Sequence, residues 1–201
     1  MKEGRVIRSI AVLTMAVALF AAAPASAQVQ TKGPEIFPGK LQVGFHPIGF
    51  QTGFNGNSPS GYKLTADIAG LIAQPGKLSL WLGGGINYAA GFYGCYVANG
   101  VSNCGGDLQM WAFVMLTFEK LIPIPLVPFA RAGVGGDVLF YGNTAGAFVL
   151  RFGGGVHYYL LKWLGLGVET NFTFGPGFYG GGAGTLFYGN WDFGLGARFA
   201  F

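Results

Sequence analysis

Ten charged side chains and one histidine are spaced in this sequence so as to share one environment. Lys63 and Asp67, Asp107 and Glu119, Arg131 and Asp137, Arg151 and His157, and Asp192 and Arg198 stand an even number of residues apart, and Glu169 falls on a segment of its own. On an extended chain, even separation places side chains on one face. Four cations (Lys63, Arg131, Arg151, Arg198) would then be enclosed with six anions (Asp67, Asp107, Glu119, Asp137, Glu169, Asp192). Buried charges must pair, because an isolated one carries a large desolvation cost. The chemistry expected is a network of ion pairs.

Other chemistry finds few residues. Hydrolysis at a lipid surface needs a Ser/His/acid set at a strand end, and only His46 and His157 are on offer. His157 shares a face with Arg151, and His46 precedes Pro47 near the first loop. Neither a His-x-Ser motif nor a Gly-x-Ser-x-Gly elbow occurs. The repeated Gly-x-Gly pairs are not a phosphate loop, which needs a following helix. Cys95 and Cys104 lie in a Gly/Asn-rich segment, and in an exported chain such a pair reads as a disulfide closing a small loop. A zinc site would need further ligands nearby. Mass spectrometry without reductant is expected to find no free thiol. No enzyme activity, metal or cofactor is expected.

The elements that must carry these residues are strands of strict alternation. Trp191, Phe193, Leu195, Ala197, Phe199 and Phe201 alternate with Asp192, Gly194, Gly196, Arg198 and Ala200. Eight such strands are counted from Gly39 onward. Loops or turns are expected at 55–61, 74–77, about 90–106, 121–126, 141–144, 161–163 and 175–184, and Pro47 shifts the pattern in the first strand. From the second strand on, every charge falls on one face and the other face is apolar or aromatic. A soluble barrel would have this inverted. Compact turns alternate with longer Gly/Asn/Ser loops, which is the short-periplasmic, long-external asymmetry of membrane barrels. Tyr62, Tyr88, Phe118, Phe140, Tyr158, Phe174 and Phe187 lie near strand ends as an interfacial girdle, with aliphatic residues expected between. Inward Gly83/Gly85, Gly133/Gly135, Gly153/Gly155, Gly165/Gly167 and Gly194/Gly196 are expected to make room for Trp81, Trp111, the arginines and water. Leu195→Arg, placing charge in lipid, is expected to harm folding far more than Gly196→Ser.

Composition agrees. Of 201 residues, 37 are Gly and 19 Phe, and only 10% are charged. Residues 1–27 read as a cleaved signal peptide: Lys2, Arg5 and Arg8, then an apolar run from Ile10 to Ala23, then Ala25-Ser26-Ala27. Residues 28–38 form a polar, Pro-containing periplasmic lead-in, and 39–201 the barrel. Cleavage removes Lys2, Glu3, Arg5 and Arg8 and leaves +2 of the formal +4. Nucleic acid is not an expected partner, since no basic patch is clustered.

The signal peptide, the alternation, the inward charges and the terminal Phe201 with Phe193, Leu195, Ala197 and Phe199 on its face resemble the small outer-membrane barrels that include the OmpA transmembrane domain and OmpX. The resemblance implies an all-β fold, an eight-stranded antiparallel up-and-down transmembrane barrel in the outer membrane of a Gram-negative bacterium. It implies contact with outer-membrane lipids and lipopolysaccharide, periplasmic chaperones, and barrel-assembly machinery reading the C-terminal strand. Expected functions, in order, are a structural or surface-interaction role with display loops at 90–106 and 175–185, a narrow channel for small solutes or ions, and a lipid-modifying enzyme.

Overall fold

The structure, a computed structural model, describes residues 39–54, 60–93, 96–98, 101–103, 105–119, 124–141, 143–179 and 185–201. The signal peptide, the lead-in and both cysteines lie outside the described residues. Among the described residues there are ten strands: β1 (Leu41–Gly53), β2 (Ser60–Ala73), β3 (Leu78–Tyr93), β4 (Tyr96–Ala98), β5 (Val101–Asn103), β6 (Gly106–Phe118), β7 (Leu126–Tyr141), β8 (Asn143–Leu161), β9 (Leu164–Tyr179) and β10 (Thr185–Ala200). Eight of them close into an antiparallel barrel in the order β1-β10-β9-β8-β7-β6-β3-β2, and β4 pairs only with β5. The first and last strands meet, with Leu41 N donating to Phe201 O at 3.1 Å and Phe201 N to Leu41 O at 2.8 Å.

Alternation decides which face each residue takes, because successive side chains on a strand point oppositely. Gln42, Gly44 and His46 of β1 are buried in the lumen, and after Pro47 the parity flips so that Gly49 and Gln51 are the buried ones. The ladder records the flip: pairing to β10 jumps from Phe45↔Ala197 to Ile48↔Leu195, and to β2 from His46↔Thr65 to Gly49↔Lys63. Proline has no N–H to give a ladder, so a bulge is where it fits. The Tyr62 hydroxyl donates to the Pro47 carbonyl oxygen and satisfies it at the break.

The outer surface is apolar around the whole circumference. Phe50, Ile68, Leu82, Met110, Val134, Phe152, Phe172 and Leu195, one from each barrel strand, are all exposed. Six carboxylates, three arginines and Lys63 are instead buried inside. A closed barrel leaves no unpaired edge, which is the condition for strands to cross hydrocarbon. This chain is a transmembrane β-barrel.

Several local expectations need correction. The segment 175–184 is not all loop: β9 runs on through Tyr179, with Gly175 and Gly177 inward and Phe174, Pro176 and Phe178 outward. Glycine there is not a turn signal. A Cβ at Gly175 would lie 1.9 Å from the Phe148 carbonyl oxygen, so the strands' close approach demands glycine. The segment 90–106 likewise holds the end of β3 and the β4–β5 pair. At the loop end of the barrel, β7 and β8 are separated by residue 142 alone, so long and short connections do not sort completely by end. The outward face is not wholly apolar, since Thr170 faces out. Its hydroxyl accepts from the Trp191 indole at 2.6 Å and donates to Asp192 O at 3.0 Å, so it brings no unsatisfied group to lipid. Nor are the middles of the strands aliphatic on every side. Phe172 stacks on Trp191 and on Phe54, and Phe152 on Phe174, across neighbouring strands β8 to β10 and the end of β1.

Candidate functional site

The lumen is the only environment in which the described polar side chains converge, and it is built in levels. Nearest the turn end, Val127, Tyr159 and Ala200 pack together. Next comes a cluster of Ala69, Trp81, Trp111, Phe113, Met115 and Phe129. The charges follow, and toward the loop end stand Leu139, Ala147, Val149 and Tyr188. Ten of these side chains (Ala69, Phe113, Met115, Val127, Phe129, Leu139, Ala147, Val149, Tyr159, Tyr188) were not among the inward residues read from sequence. Their parity was the available signal, since Phe113 and Met115 stand at even spacing from Trp111 and Thr117.

Two strand-to-strand networks occupy the centre. Arg131 on β7 donates through Nη2 to Glu169 Oε1 at 2.8 Å, through Nε to Asn171 Oδ1 at 2.9 Å, and through Nη1 to Asp67 Oδ2 at 3.4 Å. Arg198 on β10 holds the same Asp67 at 2.9 and 3.0 Å and reaches Gln42 Oε1 at 3.4 Å. Above them, Asp192 receives Lys63 at 2.6 Å, Arg151 at 2.9 Å and Asn171 Nδ2 at 2.8 Å. Arg151 also donates to Gln109 Oε1 at 2.6 Å, and its guanidinium lies 4.5 Å from the Trp111 ring centroid. That ring fits because Gly85 faces it: a Cβ at Gly85 would sit 2.5 Å from Trp111 Cζ2. All four cations are therefore engaged by three anions, Asp67, Glu169 and Asp192.

Three carboxylates have no lysine or arginine within ion-pair distance among the described residues. Glu119, at the turn end, accepts from Thr117 at 2.8 Å and Gln74 at 3.2 Å, with Trp81 donating to Thr117 at 3.0 Å. Asp107 Oδ2 accepts from Gln51 Nε2 at 2.5 Å and from the Tyr188 hydroxyl, which comes from the far wall of the barrel, at 2.9 Å. Asp137 Oδ2 accepts from Gln109 Nε2 at 3.1 Å.

One donor set has metal-like compactness. His46, Asp67 and Glu169 offer one ligand atom each, all within 4.8 Å of one another, and His46 Nε2 stands 3.5 Å from Glu169 Oε2. Both carboxylates already carry guanidinium partners, so a divalent ion there would face Arg131 and Arg198 at close range. The set reads as part of the ion-pair network. His157 stacks on Phe129 at 4.7 Å, and no hydrogen bond joins either histidine to a serine among the described residues. The C-terminal residues Phe193, Leu195 and Phe201 are exposed on the outer face and Ala197 and Phe199 half-buried there.

No protein-family model matches the chain, and no curated protein matches it in sequence. Solved structures do match. Neisserial surface protein A superposes with a TM-score of 0.52 at 11% identity, over 80% of this chain and 96% of that one. OprG from Pseudomonas aeruginosa matches with a TM-score of 0.49 at 10% identity, over 86% and 99%. The N-terminal barrel domain of OprF from the same organism matches with 0.46 at 15%, over 82% and 100%. The first of these likenesses shows the fold alone, a small closed β-barrel.

Proposed function

We propose that this small outer-membrane-type barrel sits in the outer membrane of a Gram-negative bacterium in a structural or surface-interaction role, its lumen closed by its own ion pairs. The observation that carries the reading is the engagement of every lumen cation across the interior: Arg131, Arg151, Arg198 and Lys63 all reach carboxylates on other strands. An eight-stranded barrel has an interior just wide enough for side chains to fill. Apolar clusters on both sides of the charged level leave little continuous polar surface for an ion to follow. The outward belt faces outer-membrane lipid and lipopolysaccharide, and β10 is the segment that periplasmic chaperones and the assembly machinery would read. The reading contains no catalytic step, since His46 and His157 are both 1% exposed and face the lumen, away from lipid.

Single-channel recording of the refolded protein in a planar bilayer tests it. A silent bilayer is expected for the wild-type barrel, with discrete openings only after Arg151→Ala or Arg198→Ala. Openings of the wild-type protein altered by those changes would establish a narrow solute channel instead.

A further inference from the structure

The charges of the lumen do not balance level by level. Around Asp67, Glu169 and Asp192, three anions meet four cations. At the loop end, Asp107 and Asp137 stand on adjacent strands, at diagonal register positions, with no lysine or arginine within ion-pair distance among the described residues. They are 0% and 2% exposed. The nearest ammonium and guanidinium, on Lys63 and Arg151, are taken by Asp192.

We propose that Asp107 and Asp137 hold a hard divalent cation, calcium, at the loop end of the lumen. Their Oδ2 atoms are fixed by the amides of Gln51 and Gln109, while the Oδ1 atom of each is buried and accepts no hydrogen bond among the described residues. Asn190, whose Nδ2 donates to the Tyr188 hydroxyl beside Asp107, also leaves its buried Oδ1 without a donor. Independently of the acids, Asn87 faces the lumen at the level of Gln109, is 1% exposed, and has no partner for either amide atom. Every free acceptor here is oxygen, which selects a hard cation. Calcium accepts six to eight oxygens in irregular geometry, whereas magnesium demands a near-ideal octahedron. The ion supplies the charge that this level lacks.

Isothermal titration of chelator-treated, refolded barrel with calcium chloride in zwitterionic detergent tests the site. One calcium per barrel is expected, with affinity lowered more than about tenfold in Asp107→Asn and Asp137→Asn, since even loss of an outer partner of a metal ligand costs about 10–100-fold. Glu119→Gln, at the opposite end, should bind as wild type does. Both Asn variants are expected to fold, because no lysine or arginine depends on either carboxylate. Absence of saturable binding by the wild-type barrel overturns the proposal whatever the variants do, and so does unchanged binding by a folded Asp107→Asn/Asp137→Asn double variant.

Discussion

Arg131→Met is expected to destabilise the barrel by about 3–5 kcal/mol, read from urea unfolding of protein refolded into lipid vesicles. The loss comes from the partners left behind. Glu169 would keep only the 3.5 Å contact to His46 and the 3.4 Å hydrogen bond from Asn171 Nδ2, and Asn171 Oδ1 would lose its donor, while Asp67 retains Arg198. Both abandoned groups are buried, so water cannot replace the guanidinium without opening the packed interior. Removing the dependent charge as well should recover most of the loss: Arg131→Met with Glu169→Gln leaves no uncompensated anion at that level. A single-variant loss below about 1 kcal/mol would place Arg131 in the exposed-pair regime and mean that the lumen is hydrated.

Leu195→Arg should cost about 2–4 kcal/mol in the same assay, because the new charge would enter hydrocarbon near the membrane midplane. Leu195 is five residues from the end of β10. At about 3.3 Å per residue and a tilt near 40°, that is roughly 13 Å, about half of a ~25 Å apolar band. The comparison variant must face the lumen without disturbing it. Gly196→Ser fails that condition, since a Cβ there would lie 2.3 Å from Phe45 O and 2.4 Å from His46 Cδ2. Gly196→Ser is therefore expected to disturb the lumen in its own right. Ala147→Ser, buried on β8 beside Asp137, is the better partner and should cost no more than about 1 kcal/mol. Equal losses in Leu195→Arg and Ala147→Ser would reverse the assignment of faces.

The faces of the strands were legible because a period of two is forced by the extended backbone, and because lipid tolerates no charge. Arg131 and Asp137, or Asp192 and Arg198, declare their side by parity alone. Apolar residues declare less. Met115 and Val149 suit lipid or a packed lumen equally, so a reading that sends every apolar side chain outward misses them. Glycine was the second difficulty. At Gly175 and Gly177 it marks close strand approach inside a ladder, yet its ordinary statistical meaning is a turn. Which carboxylates pair and which stay unpaired was not legible at all. That depends on contacts such as Arg131 to Asp67, across three strand intervals, which no local pattern encodes.

The seam between β1 and β10 has a consequence for how the molecule is made and how it fails. Every other ladder joins neighbours in sequence along the barrel, but this one joins Leu41 to Phe201, the widest-separated backbone pair among the described residues. Loop-closure entropy grows with the logarithm of that span, and long-range pairing slows folding. Closure is thus expected to be the last event of assembly, and until it occurs the chain would be an open curtain with two free selvedges. The kink at Pro47 interrupts the same hem near its middle. Under heat or mechanical load the hoop should part along β1, exchanging the amides of Val43 to Phe50 with deuterium ahead of those on β8 and β9. An opened curtain of this kind is a template for a neighbour's strand, so slow closure and irreversible aggregation would be two results of one joint.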